Sequence, residues 1–139
     1  MPIIQINYVA ILVSAVVFMF LGYLWYGPFF GKLWMKLIGA TQKDMDAAKA
    51  GMAKTYAISF IGALVTTYVL AHFVSVGQAA SFGTGATIGF WAWLGFVATT
   101  GVNEFIYSPK PKPWKLYWLN QGYWLVSLLI AGGILAVWK

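Results

Sequence analysis

The chain has 139 residues, of which 61% are hydrophobic and only 9% are charged. Soluble domains typically contain roughly 45–50% apolar and about 25% charged residues, and a soluble fold of this length could not bury so much apolar surface. The composition therefore excludes a water-soluble globule and favours a protein that lies in lipid. The lack of cysteine excludes disulfides, thiolate metal sites and cysteine nucleophiles.

Four apolar segments are long enough to cross a membrane, which takes about 20 residues in a helix. The sequence predicts membrane helices over about residues 4–26, 55–76, 83–107 and 116–138. Gly27-Pro28 is expected to end the first helix because proline lacks a backbone donor. We therefore predict an all-α polytopic membrane protein: a single transmembrane domain, residues 1–139, in which four helices form a compact bundle.

A short interfacial helix is predicted between the first two membrane helices, over residues 41–54. Thr41 is a good N-cap, and Asp44 follows it by three residues, where a capping box places an acid. Met45, Ala48 and Met52 recur at helical spacing, so this helix is expected to lie on the membrane surface. A solvated connector is the alternative.

The lysines predict the orientation of the chain. Eight of the nine lie between the first two or between the last two predicted helices: Lys32, Lys36, Lys43, Lys49, Lys54, Lys110, Lys112 and Lys115. Short lysine-rich loops stay in the cytoplasm, so both termini are predicted outside the cell (inner) membrane. Anionic lipid headgroups are the expected partners of Lys32, Lys36, Lys110, Lys112 and Lys115. These contacts account for the net charge of +6 without nucleic acid as a partner.

A polar cluster interrupts the apolar sequence near the cytoplasmic ends of the last two helices. Glu104, the only glutamate, follows Asn103, and Asn120-Gln121 lies inside the next helix. The short loop 108–115 makes the two helices antiparallel neighbours, so these groups are expected at similar depth in a pocket. The predicted ligand-binding residues are Asn103, Glu104, Tyr117, Asn120, Gln121 and Trp124.

Two roles are open for Glu104. An ionisable group within a membrane helix is by default a functional-site hypothesis. A carboxylate near the membrane surface that pairs with a neighbouring lysine is the structural alternative. No cofactor or metal site is predicted. We also expect no enzyme, because Glu104 and His72, the candidates for acid–base work, are predicted at opposite membrane faces.

Small residues recur at helical spacing and predict close contacts between helices. One such face lies on the second helix, with Ser59, Gly62 and Thr66. Another runs along the third helix through Gly85, Gly89, Ala92, Phe96, Thr99, Thr100 and Asn103. The ends of the first and third helices also resemble each other. Each carries a tyrosine, Tyr26 or Tyr107, and the two tyrosines are 81 positions apart. This spacing suggests a parallel repeat of two helices.

Three motifs resemble the DUF1761 family of uncharacterised four-helix membrane proteins. They are Asn7-Tyr8, the stretch "WYGPFFGKLW" from Trp25 to Trp34, and "NQGY" with Asn120, Gly122 and Tyr123. The resemblance covers nearly the whole chain and implies the four-helix architecture. It implies no activity.

Two functions are consistent with these features. The favoured hypothesis is a lipid- or protein-binding scaffold in the membrane that acts as a homo-oligomer. The alternative is a small homo-oligomeric transporter or channel, in which a cytoplasm-facing pocket around Glu104 takes a small-molecule ligand.

Overall fold

The computed structural model describes residues 3–139, and within this range it contains helices and no strand. Two π-helical segments, Trp25–Phe29 and Trp93–Ala98, and a 3₁₀ turn, Lys49–Gly51, continue neighbouring helices. The α-helices are α1 Tyr8–Leu24, α2 Gly31–Ile38, α3 Gln42–Ala48, α4 Met52–Val76, α5 Phe82–Ala92, α6 Thr99–Ile106 and α7 Trp114–Val137.

Within residues 3–139, four continuous helical stretches are long and apolar enough to cross a membrane, which confirms the predicted all-α architecture. They are called the first to fourth spans and cover Tyr8–Phe29, Gln42–Val76, Phe82–Ile106 and Trp114–Val137. The second span has 35 residues. It is too long to lie wholly in a hydrocarbon core of about 30 Å, so its N-terminal turns extend beyond it.

The spans pack as a compact bundle, with α1 against α4 and α5 against α7, while α7 also contacts α1 and α4. The core is closely packed, and Ser14, Thr67 and Ser127 are fully buried in it beside apolar side chains. Large apolar side chains such as Phe20 and Ile61 point outward. Such an exposed apolar surface is stable in lipid rather than in water.

The contact between α5 and α7 depends on glycine. A Cβ atom at Gly85 would collide with the backbone carbonyl of Gly132, and one at Gly89 would collide with that of Leu128. Small residues let helix backbones approach closely in membranes. The predicted Gly85–Gly89 contact face therefore packs against α7 of the same chain.

The first span does not end at Gly27-Pro28 as predicted. Pro28 lies inside the π-helical segment, where the Phe30 N–H donates to the Trp25 carbonyl at 2.9 Å. The wider π turn relieves the clash between a proline ring and the carbonyl four residues earlier. The helical path continues to Phe29, and α2 follows directly, a helix that the sequence analysis missed.

The predicted small-residue face on the third span is wrong beyond Ala92. The π-helical segment Trp93–Ala98 adds a residue to one turn, which rotates the following helix relative to a regular repeat. The last residue of the segment, Ala98, and Gly101 on α6 approach α7. Phe96, Thr99, Thr100 and Asn103 are exposed instead.

The predicted short helix does form, but it is the N-terminal part of the second span and continues through a 3₁₀ turn into α4. The Thr41 hydroxyl accepts a hydrogen bond from the Asp44 N–H at 3.1 Å, and the Asp44 carboxylate accepts one from the Thr41 N–H at 2.9 Å. This capping box starts α3, whose residues are mostly exposed. Its contact with the membrane surface stays a prediction, as does the internal repeat.

Candidate ligand site at the lysine-rich end

A surface cavity of about 400 Å³ lies where α2, the end of α6, the loop before α7 and the start of α7 meet. This is the end of the bundle at which the lysines concentrate, and the cavity is called the rim cavity below. Its lining residues are Trp34, Leu37, Ile38, Glu104, Pro111, Lys112, Pro113, Leu116 and Asn120.

The amphipathic helix α2 supplies one apolar wall. Trp34, Leu37 and Ile38 line the cavity, while Lys32 and Lys36 on the same helix are exposed. Gly39 ends the helix with a φ of 72°, a left-handed conformation that favours glycine. The Ala40 N–H then donates to the Met35 carbonyl at 3.0 Å, as in a Schellman motif. The helix is therefore short and presents one side to the cavity.

An ion pair forms the opposite wall. The Lys112 ammonium lies 3.2 Å from the Glu104 carboxylate and 5.7 Å from the centre of the Phe105 ring. The loop bends at Pro109-Lys110, and Pro113 is in an extended conformation directly after Lys112. Proline restricts the residue before it to extended backbone, so Pro113 favours an extended Lys112. The side chains are 36% and 69% exposed for Lys112 and Glu104. Such exposed pairs contribute at most about 1 kcal/mol to stability, so both charges are open to a further partner.

Asn120 contributes a polar group that is fixed in place. The Tyr26 hydroxyl donates a hydrogen bond of 2.7 Å to Asn120 Oδ1. The Tyr26 ring packs between Trp34 and Tyr123, with ring centres 5.3 Å and 5.6 Å away. With Oδ1 held by the phenol, the NH₂ group of Asn120 remains able to donate a further hydrogen bond.

The motifs from the first and fourth spans contact each other directly. The Trp25 indole N–H donates to the Leu119 carbonyl at 2.9 Å, and a Cβ atom at Gly122 would lie 2.9 Å from the Trp25 ring. The Tyr123 hydroxyl donates to the Phe18 carbonyl at 2.8 Å. These contacts fix the end of the first span, and with it α2, against α7.

Three of the predicted ligand-binding residues are engaged inside the bundle instead of lining the cavity. Gln121 is buried, and its side-chain oxygen accepts from the Trp93 indole at 3.2 Å. The buried Tyr117 hydroxyl donates to the Ala98 carbonyl at 2.7 Å. The Trp124 ring packs on Phe18, with ring centres 5.9 Å apart. Their contacts link the fourth span to the first and third spans.

Asn103 also lies away from the cavity, exposed on the outer side of α6, because the preceding π segment rotates this helix. Of the six predicted residues, the structure therefore brings Glu104 and Asn120 to the rim cavity. Among the lysines predicted to contact headgroups, Lys112 lines the cavity. Lys32, Lys36, Lys110 and Lys115 are exposed at the same end, and their lipid contacts stay a prediction.

The apolar half of the site was not predicted from the sequence. Its residues are Tyr26, Trp34, Leu37, Ile38, Pro111, Pro113 and Leu116. The signal was present in "KLWMKLI", residues 32–38, where lysines and apolar residues alternate at helical spacing. The prediction that the helical path ends at Pro28 left this segment without a helix.

A second concavity, of about 280 Å³, lies between α1 and α4 and is lined by Ile11, Leu64, Val65 and Tyr68. It is almost wholly apolar, as expected for a groove that lipid chains cover. Across residues 3–139, no group of three His, Asp or Glu side chains is placed to hold a metal ion. Of these two concavities, the rim cavity is the one that combines apolar walls with charged groups.

The fold and this cavity define a four-span integral membrane protein with a surface site at one end of the bundle. The family model described as "Protein of unknown function (DUF1761)" matches residues 9–136, and the chain belongs to this family. No curated protein and no solved structure matches the chain.

Proposed function

We propose that the protein binds a membrane lipid, holding one lipid molecule in the rim cavity. The observation that carries this proposal is the convergence of the apolar side chains of α2 with the Glu104–Lys112 pair around about 400 Å³ of space. Ligand pockets typically measure about 300–1,000 Å³ and combine apolar walls with a few placed polar groups.

The position of the cavity suits an amphiphile better than a water-soluble ligand. The exposed Trp114 ring and the lysines on α2 mark the level of the headgroups, where tryptophan and lysine are favoured. A lipid in the surrounding leaflet reaches this level without leaving the membrane. Its headgroup meets the ion pair, and the upper part of its acyl chains meets Leu37, Ile38 and Leu116.

We propose that the rim cavity lies at the cytoplasmic leaflet of the cell (inner) membrane, with both termini outside. The asymmetric distribution of lysine supports this orientation, because lysine-rich short loops stay cytoplasmic. The cytoplasmic leaflet is also the one whose anionic lipids attract lysines, by about 1 kcal/mol each.

We further propose that the protein acts as a homo-oligomer that makes its contact through α4. Ser59 and Gly62 are exposed on this helix, and a Cβ atom at Gly62 would meet nothing within 4 Å. Small residues exposed in lipid favour close association of helices. The Gly85–Gly89 face is already occupied by α7, which leaves α4 as the better surface.

Native mass spectrometry tests lipid binding by comparing wild type with Leu37→Trp, which fills the cavity with a larger side chain. Leu33→Trp is the matched control, since Leu33 is exposed on the same helix and does not line the cavity. Wild type and the control are expected to keep one lipid at collision energies that strip annular lipid, and Leu37→Trp is expected to lose it. Equal retention in all three proteins would contradict the proposal. The same spectra report the number of chains per particle.

A further inference from the structure

We propose that the lipid held in the rim cavity has a zwitterionic headgroup with a primary ammonium, as in phosphatidylethanolamine. This inference rests on the proposed function and names the ligand class of the same site. It follows from the charges that line the cavity, one carboxylate at Glu104 and one ammonium at Lys112, which lie 3.2 Å apart.

The paired charges discriminate between headgroups. A purely anionic headgroup is attracted by Lys112 but repelled by the Glu104 carboxylate beside it. A zwitterionic headgroup placed antiparallel to the pair is attracted at both ends, with its phosphate at Lys112 and its ammonium at Glu104. A primary ammonium also donates hydrogen bonds to the carboxylate, and these charge-assisted bonds are unavailable to a quaternary choline group.

The surroundings of Lys112 support this placement of the phosphate. Asn120 lines the cavity, and its NH₂ group can donate a hydrogen bond to a phosphate while Tyr26 holds its oxygen. The helix α7 begins at Trp114, directly after the lining residue Pro113, and no side chain caps its first N–H groups. The positive end of a helix dipole at this wall favours an anion on the Lys112 side. The phosphate therefore has a defined place, and the ammonium points toward Glu104.

The exposed lysines at the same end are expected to bind lipid headgroups less selectively than the cavity does. Lys110, Lys115 and Lys36 are exposed and attract any anionic lipid to the rim. Their effect is a general enrichment of anionic lipid around the protein. The preference for an ethanolamine headgroup is expected only for the single lipid that stays bound when annular lipid is removed.

The test uses native mass spectrometry of the full-length protein in mixed micelles with equal amounts of phosphatidylethanolamine, phosphatidylglycerol and phosphatidylcholine of identical chains. Wild type is expected to retain at least about three times as much phosphatidylethanolamine as either competitor. This ratio corresponds to an exposed charged contact of somewhat under 1 kcal/mol. Glu104→Gln is expected to keep a lipid and to lose this preference. Asp46→Asn is the matched control, because Asp46 also pairs with a lysine, at 3.4 Å, but lies on α3.

The outcomes separate the two proposals. A retained lipid that wild type takes equally from all three headgroups, or preferentially as phosphatidylglycerol, overturns the headgroup assignment and leaves the lipid site in place. The assignment also fails if the ethanolamine preference persists in Glu104→Gln, or disappears equally in Asp46→Asn. Failure of wild type to retain any lipid overturns the proposed function itself.

Discussion

At the scale of single residues, the hydrogen bond between Tyr26 and Asn120 links the first span to the rim cavity. The donor lies in the π-helical segment and the acceptor lies on α7, 94 residues later. Both groups are partly buried, so a missing partner costs more than the hydrogen bond contributes. The pair therefore fixes the orientation of a cavity-lining amide and also stabilises the fold.

Tyr26→Phe removes the phenolic donor and leaves Asn120 Oδ1 without it. The free energy of unfolding is expected to fall by about 1–2 kcal/mol, as for the loss of one partner of a partly buried hydrogen bond. The matched control is Tyr23→Phe, since Tyr23 is 65% exposed one turn earlier. Denaturant titration in mixed micelles, followed by circular dichroism, measures both. Equal stabilities of the two variants would contradict this role for the hydroxyl.

The candidate site was half predictable from single residues. Glu104 and Asn120 stand out in the sequence because polar groups are rare in apolar helices, and both line the cavity. Gln121 and Tyr117 stand out equally, yet they bond with neighbouring helices. A polar residue in an apolar helix can line a site or link two helices. The two kinds of residue differ in whether a cavity or another helix faces the side chain, and the sequence does not show this.

At the scale of elements, the two π-helical segments determine which faces of the spans meet. Each begins with a tryptophan whose indole N–H donates to a carbonyl of α7: Trp25 to Leu119 and Trp93 to Gln121. The spans and the α3 capping box were predictable because long apolar runs and caps are local signals. The π turns were not, since helical periodicity does not distinguish a π turn from the regular turns around it. The face that a regular repeat assigned to the third span beyond Ala92 is therefore rotated, as the exposed Asn103 shows.

Gly85→Ala tests the close approach of α5 to α7. The added methyl group would collide with the Gly132 carbonyl, so the two backbones must separate, and the protein is expected to lose about 2–4 kcal/mol of stability. Gly83→Ala serves as the control on the same helix, because a Cβ atom there meets nothing within 4 Å. Thermal unfolding in detergent compares the variants. A loss in Gly83→Ala as large as in Gly85→Ala would refute a specific contact.

At the scale of the whole molecule, the arrangement of the spans gathers α2, the proline-lysine loop and the start of α7 at one end. Lysine is concentrated there, while residues 77–81 at the opposite end carry no charge. This unequal distribution of charge could be predicted from the sequence because it depends only on the order of spans and loops. The rim cavity was not, since it needs α2 to fold back against a loop about 75 residues later.

The proposed orientation can be tested with cysteines, because the chain has none of its own. Ala47→Cys on α3 and Ala80→Cys before α5 are matched substitutions at exposed positions. A membrane-impermeant maleimide is expected to label Ala80→Cys in intact cells, and Ala47→Cys only after the membrane is permeabilised. The reverse pattern would place the lysine-rich end outside the cell.

The most direct test of a lipid site in the rim cavity is photo-crosslinking in intact membranes. A phosphatidylethanolamine with a photoreactive diazirine near its headgroup is activated, and the labelled peptides are identified by mass spectrometry. The account predicts adducts concentrated on residues 31–38 and 104–120, and their loss in Leu37→Trp. Adducts spread evenly over the outward faces of the spans, and unchanged in Leu37→Trp, would contradict it.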